Sequence, residues 1–184
     1  MISNTGSINS YENLKRIIGA TNISTIKNYI SAFQDVYLVY ALPMFAYSIK
    51  KQIYNPNKYY AGDIGFYHAV GFSFTADYGK LLENIVLLDL LRNYDDIFCW
   101  KSKKAYEVDF VINRKKQIVC AIQVSYNLTI ANRDREIRAL IAASEEINAE
   151  KLLIITYDQN EIIQLDSLII EVVSYLNWLL MDKI

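Results

Sequence analysis

The chain has 184 residues, 53% of them hydrophobic, and a net charge of −1, enough for one packed domain or two small ones. Its polar start, MISNTGSINSYENLKR, is unlike a signal peptide, and no apolar run reaches the roughly 18 residues that span a bilayer. A cytoplasmic protein with no membrane partner is therefore expected. Its charge is uneven: residues 1–60 hold Lys15, Arg16, Lys27, Lys50, Lys51 and Lys58 against Glu12 and Asp35, and a basic first third suits nucleic-acid contact.

In chain order, Ser10 predicts the cap of a first helix with Leu14, Ile17 and Ile18 on one face, ended by Gly19. Asn22 predicts the cap of a second, in which Ile26, Ile30 and Phe33 recur at helical spacing. Two short helices joined by a tight turn form a helix-turn-helix pattern. The outer face of the second would present Ser24, Thr25, Lys27, Asn28 and Ser31, side chains suited to phosphates and base edges in a major groove. Residues 36–66 then supply two strand-like runs around a basic turn at Lys50 and Lys51, the pattern of a wing. Pro43 limits the first run to an edge or a short strand, and the NPNK of residues 55–58 reads as a turn. A winged helix over residues 1–76 is predicted, serving either DNA contact or protein docking.

From residue 77 the pattern becomes α/β. DYGKLLENIVLLDLLRNYDD predicts a helix with Leu81, Leu82, Ile85, Val86, Leu88 and Leu91 over a broad apolar face. Strands follow at IFCW, YEVDFVI and IVCAIQVS, then a charged amphipathic helix through ANRDREIRALIAASEEI, a strand at KLLIITY, a short strand and a terminal helix. Three successive strands predict an antiparallel meander, and the helix crossover adds a parallel partner, giving a mixed sheet over residues 77–184. Cys99 and Cys120 fall inside strands among apolar residues and are expected as buried thiols. His68, the sole histidine, has no ligand spacing around it, and the fifteen tyrosines, Tyr59 and Tyr60 included, are expected mostly as packing residues. Arg114, Lys115 and Lys116 read as a hairpin turn and Lys101, Lys103 and Lys104 as a loop, both near the sheet edge where phosphate contact would be extended.

Glu83 on a helix, Asp109 on a strand and Gln123 on the next strand would compose a metal site if the hairpin joins the last two. Magnesium takes an octahedral shell of oxygens, commonly one or two carboxylates with waters and substrate phosphate. Such an ion activates water and offsets phosphate charge, often helped by a lysine.

The helix Glu83, strand Asp109 and following Gln123-Val124-Ser125 resemble, in order, the PD-(D/E)XK nuclease superfamily. More narrowly, KYYAGDIGF, YGKLLENIV, YEVDFVI, AIQVS and DREIRAL together resemble the domain of unknown function that follows the ATPase core in many prokaryotic AAA-type ATPases. The resemblance spans nearly the whole chain and implies a winged helix followed by a restriction-endonuclease-like mixed-sheet domain. It also implies an ATPase domain as partner. No G-x-x-x-x-G-K-[ST] occurs, since Gly79 and Lys80 precede Leu81 without the upstream glycine, so no ATP site is expected here. The chain is accordingly expected to be the C-terminal part of a longer ATPase.

The departure from the nuclease pattern is in the E-x-K strand. Gln123 and Ser125 replace the glutamate and the lysine, removing one charge from the metal and one from the transition state. Loss of one preorganised group costs about 100- to 1,000-fold in rate, so the chain is expected not to be an enzyme by itself and to require no cofactor. Glu107, on the strand face of Asp109, is expected to pair with Arg135 in a buried network. The function expected is thus an accessory module of an AAA-type ATPase that binds DNA through Thr25, Lys27, Asn28, Lys50 and Lys51, or binds a protein. Two alternatives stay open: an active metal-dependent deoxyribonuclease, with magnesium on Asp109 and Glu83 and a substitute cation such as Lys80, Arg133 or Arg135, and a structural docking domain for ATPase assembly.

Overall fold

The computed structural model describes residues 5–70, 77–165 and 168–181, apart from the side chains of Tyr67, His68 and Val70. The role expected for His68 and the boundary expected after residue 76 lie outside that described set. The chain divides into two compact units, Met1–Asn84 and Ile85–Ile184.

The first unit begins with β1 (Ser7–Asn9), which the sequence patterns did not disclose, and continues through α1 (Tyr11–Ile18) and α2 (Ile23–Asp35). Ser10 Oγ accepts the Asn13 N–H at 3.1 Å, and Gly19 closes α1 with φ 72°, a left-handed value that favours glycine. β2 (Val39–Leu42), α3 (Ile49–Tyr54), β3 (Asn57–Ala61) and α4 (Ile64–Val70) follow. The strands pair antiparallel in the order β1-β3-β2. Leu14, Ile26, Ile30, Val39 and Tyr59 make the core, each such side chain contributing about 1.5–3 kcal/mol on burial.

Three expectations need correction here. Ile17 and Ile18 are 69% and 56% exposed and Phe33 is 39% exposed, because α1 and α2 bury only the stripe through Leu14, Ile26 and Ile30. Lys50 and Lys51 sit on α3 rather than in a turn. Asn57 and Lys58 already belong to β3, where pairing with β1 and β2 overrides their turn propensity.

α5 (Tyr78–Leu90) crosses the division between the units at Asn84 and Ile85. The second unit holds β4 (Ile97–Lys101), β5 (Glu107–Arg114), β6 (Gln117–Val124), α6 (Ile130–Ile147), β7 (Lys151–Thr156), β8 (Glu161–Leu165), β9 (Leu168–Ser174) and α7 (Tyr175–Leu180). They form a six-stranded mixed sheet, β4-β5-β6-β7-β9-β8. β4, β5 and β6 are an antiparallel meander, β6-β7 and β7-β9 are parallel, and β8 returns antiparallel on β9. The mixed α/β character is the one expected, whereas the β8–β9 pair replaces a single late strand. Central residues of β5, β6 and β7, among them Phe110, Ile122 and Ile154, are fully buried, as runs covered on both faces must be. α6 packs on these strands through Ala139, Leu140, Ala143 and Ile147.

The β5–β6 connection has only Lys115 and Lys116 between the paired Arg114 and Gln117. Both have positive φ, 51° and 69°, the mark of a type I′ hairpin turn usually filled by Asn-Gly. A side chain in that region costs about 1–2 kcal/mol per residue.

Candidate functional site

Asp109 is half-buried on β5 and Gln123 buried on β6, next to one another across the hairpin. Gln123 uses both ends of its amide: Oε1 accepts the Asp109 N–H at 2.8 Å, and Nε2 donates to Glu136 Oε2 at 2.5 Å. Glu136 comes from α6 and is only 3% exposed. Its other oxygen, Oε1, accepts Arg135 Nη2 at 2.5 Å and Nε at 3.1 Å. Asp109 Oδ2 accepts the Val124 N–H at 3.0 Å. Glu136, and more weakly the charge of Asp109, hold the Arg135 guanidinium above its ordinary pKa.

The pairing expected between Glu107 and Arg135 gives way to two others. Arg135 takes Glu136, its sequence neighbour, and Glu107 takes Lys101 at 2.6 Å across the β4–β5 pair. Lys101 lies opposite Glu107 in the antiparallel register, which decides the matter. Ser125, at the position of the nuclease lysine, donates to the Asn127 carbonyl at 3.0 Å and accepts from Asn132 Nδ2 at 3.1 Å. It thereby ties the end of β6 to the Thr129–Asn132 capping box that starts α6.

Sequence reasoning passed over Glu136. Its signal was placement: Glu136 precedes Ala139, Leu140 and Ala143 at helical spacing, so it lies on the buried stripe of α6 and needs a partner there. An amide supplies one. A glutamine both accepts from a backbone N–H and donates to a carboxylate, whereas a glutamate at 123 would set two carboxylates against each other.

Glu83 belongs to the first unit, where Oε1 accepts from Lys58 Nζ at 3.0 Å and Tyr60 OH at 2.7 Å. Lys58, 4% exposed, is thus a buried cation with a half-buried partner. Beside it Asn84 Oδ1 accepts the Ala61 N–H and Nδ2 donates to the Ala61 carbonyl, each at 2.9 Å, and the Thr5 hydroxyl also donates to Oδ1. The LLEN segment therefore clasps the end of β3. Among the described residues no group of three or more His, Cys, Asp and Glu is placed to hold a metal ion. Gln123 Oε1 and both Glu136 oxygens accept N–H donors, which leaves them fewer lone pairs for the oxygen shell of a magnesium ion.

Of the expected nucleic-acid residues, Lys27 and Asn28 are exposed on α2, Thr25 is half-buried, and Lys50 and Lys51 are exposed on α3. Lys27 Nζ lies 5.3 Å from the centroid of the Tyr11 ring, a cation–π contact that holds it at the helix surface. Large apolar side chains accompany these lysines: Tyr29 is 53%, Ile49 75%, Ile53 69% and Tyr54 80% exposed. Tyr59 and Tyr60 are buried, and burial pushes the Tyr59 hydroxyl up to about 12.

Residues 78–178 match the family described as Domain of unknown function (DUF4143). The chain belongs to that family. Ahead of the DUF4143 segment, residues 1–77 match a second family, Domain of unknown function (DUF8612). The uncharacterized protein MJ1544 of Methanocaldococcus jannaschii is 35% identical over 164 residues, covering 83% of this chain and 35% of that protein. An uncharacterized protein of Haemophilus influenzae is 31% identical over 163 residues, covering 87% of this chain and 38% of its own length. The chain thus spans a little over a third of the length of the curated relatives it matches. Among solved structures, one described as a refined half-complex from a tetradecameric assembly of Thermococcus gammatolerans McrB AAA+ hexamers with bound McrC is 19% identical. It covers 55% of this chain and 29% of the other at a TM-score of 0.41. Among the described residues no helix is long and apolar enough to cross a membrane.

Proposed function

We propose that this DUF4143 chain is a non-catalytic binding module of a larger AAA-type ATPase, with a winged-helix first unit that contacts DNA and a nuclease-like second unit that has lost hydrolysis. The observation that carries the loss of catalysis is the Gln123 amide. Its oxygen is taken by the backbone of Asp109 and its nitrogen by Glu136, so the strand that would offer a metal ligand is committed to the core. Ser125 in place of lysine leaves no cation at that position for a phosphorane-like transition state. The association with an ATPase rests on the combined KYYAGDIGF, LLEN, EVDF, IQVS and DREIRAL segments, and relatives more than twice as long leave room for such a domain.

For DNA contact the support is arrangement and charge. Two helices joined by a short turn precede a β2–β3 pair in a β1-β3-β2 sheet, and the connecting segment carries Lys50 and Lys51. From residue 36 to residue 62 there is no carboxylate. Exposed Ser24, Lys27, Asn28 and Ser31 give α2 a face of donors and acceptors. A protein partner is the second reading, favoured by the exposure of Ile49, Ile53 and Tyr54.

Two experiments decide. Incubation with plasmid and magnesium or manganese should leave the DNA intact; cleavage abolished by Asp109→Ala overturns the non-catalytic reading. A mobility shift at two salt concentrations should show binding that weakens with salt and with Lys27→Ala and Lys50→Ala. Affinity indifferent to both variants turns the reading towards protein docking.

A further inference from the structure

We propose that the tip of the β5–β6 hairpin, residues 114–116, is a second nucleic-acid contact, one that grips backbone phosphate without reading bases; it rests on the DNA-binding reading above. The turn places two lysines in succession in the left-handed region, φ 51° and 69°, where Asn-Gly would sit without strain. Residues held in that sparsely populated region cluster at functional sites.

The chemistry at the tip is charge. Arg114, Lys115, Lys116 and Gln117 are all exposed, and among the described residues neither Lys115 nor Lys116 has an ion-pair partner. The tip carries no apolar side chain. Protein interfaces anchor on aromatics and arginine and are poor in lysine, so a tip with two lysines, no aromatic and the single Arg114 is poorly suited to protein. Lipid surfaces call for clusters of about four to eight basic residues, more than the three here. Phosphates spaced along a nucleic acid need only compact, hydrated point charges, as lysine provides. Asp95 and Asp96 line a recess with Arg114 and Lys115 and temper the field there, while Lys116 is not among its lining residues. The contact is accordingly a modest one that adds to a principal site.

The strain and the charge predict opposite signs for one variant. Lys115→Asn with Lys116→Gly relaxes the turn, so the melting temperature should rise. The same change should lower affinity for a DNA duplex roughly tenfold or more at 50 mM salt and flatten the log–log salt slope by about 2. Asp95→Asn with Asp96→Asn should tighten binding. Unchanged affinity and slope with a higher melting temperature overturns the proposal, and so does a lower melting temperature, which would make the lysines part of the fold. Binding to polyglutamate in place of duplex, lost in the same variant, also overturns it and points to an acidic protein. Loss of duplex binding in Lys27→Ala but not in the tip variant leaves the winged-helix reading standing and defeats this one; a wild-type chain that ignores duplex at 50 mM salt defeats both.

Discussion

Gln123 Nε2 stands 2.5 Å from Glu136 Oε2 inside the second unit, so a strand of the meander and the crossover helix meet through one amide and one buried carboxylate. Gln123→Glu turns that bond into a contact between two carboxylates. The introduced acid is disfavoured in its charged form by burial and by Glu136, which raises its folded pKa above the unfolded value of about 4.3. A raised carboxylate costs nothing below the unfolded pKa and destabilises progressively as pH rises through the folded one. Gln123→Glu should therefore match the wild type near pH 4 and fall behind by about 2–4 kcal/mol at neutral pH in urea titrations. An equal deficit at both pH values would show that like charge is not the cause.

The Lys58–Glu83 pair in the first unit obeys the asymmetry of buried ions. Lys58→Met takes the cation from the Glu83 carboxylate, which keeps its bond from Tyr60, and should cost about 3–5 kcal/mol. Lys58→Met combined with Glu83→Leu should recover much of that, because no uncompensated charge is left. A double variant as unstable as the single one in denaturant would mean that the pair is net favourable.

Gly62 tolerates no side chain. A Cβ there would lie 1.7 Å from the Tyr37 carbonyl oxygen, backbone that must itself move, and Gly62 N–H already donates to the Leu38 carbonyl at 3.0 Å. Gly62→Ala should lower stability by more than about 3 kcal/mol, an overpacking cost at the upper end of its range, whereas Gly19→Asn, at an open left-handed cap, should stay within about 1 kcal/mol. Thermal melts of the two variants compare them directly.

Arg133 holds both Glu161 oxygens, at 2.5 and 2.9 Å, and keeps that carboxyl below its usual range. A depressed carboxylate contributes stability above the unfolded pKa of about 4.3, lost as pH falls through its lower folded value. With more than a third of each side chain exposed, the contribution is screened to a few tenths up to about 1 kcal/mol. Arg133→Ala should lose that amount at neutral pH and low salt, and much less at pH 3 or in molar salt.

Cys120 is fully buried, and burial pushes its thiol up to about 12; Cys99 is buried as well. Neither should react with a thiol reagent in the native chain, and both should react once it is unfolded. Rapid native labelling of either would contradict the packing of β4 and β6.

What the sequence determined by itself was local. Periodicity marked α1, α2, α5, α6 and the strands of the meander because each pattern is carried by neighbouring residues, and the spacing of EVDF and IQVS was legible as a hairpin. Partner choice was not legible, since it depends on register and on which helix face lands on the sheet. The antiparallel pairing of β4 with β5 set Lys101 opposite Glu107 and so withdrew Glu107 from Arg135. The crossover carried Glu136 on the buried stripe of α6 to the Gln123 amide, turning a degenerate E-x-K strand into a satisfied core network. Sheet pairing likewise drew Asn57 and Lys58 into β3, and the link before it formed the short helix α3 under Lys50 and Lys51. Neighbours along the chain decide helices and strands; residues far apart in it decide which charges meet, and that is where this site was made.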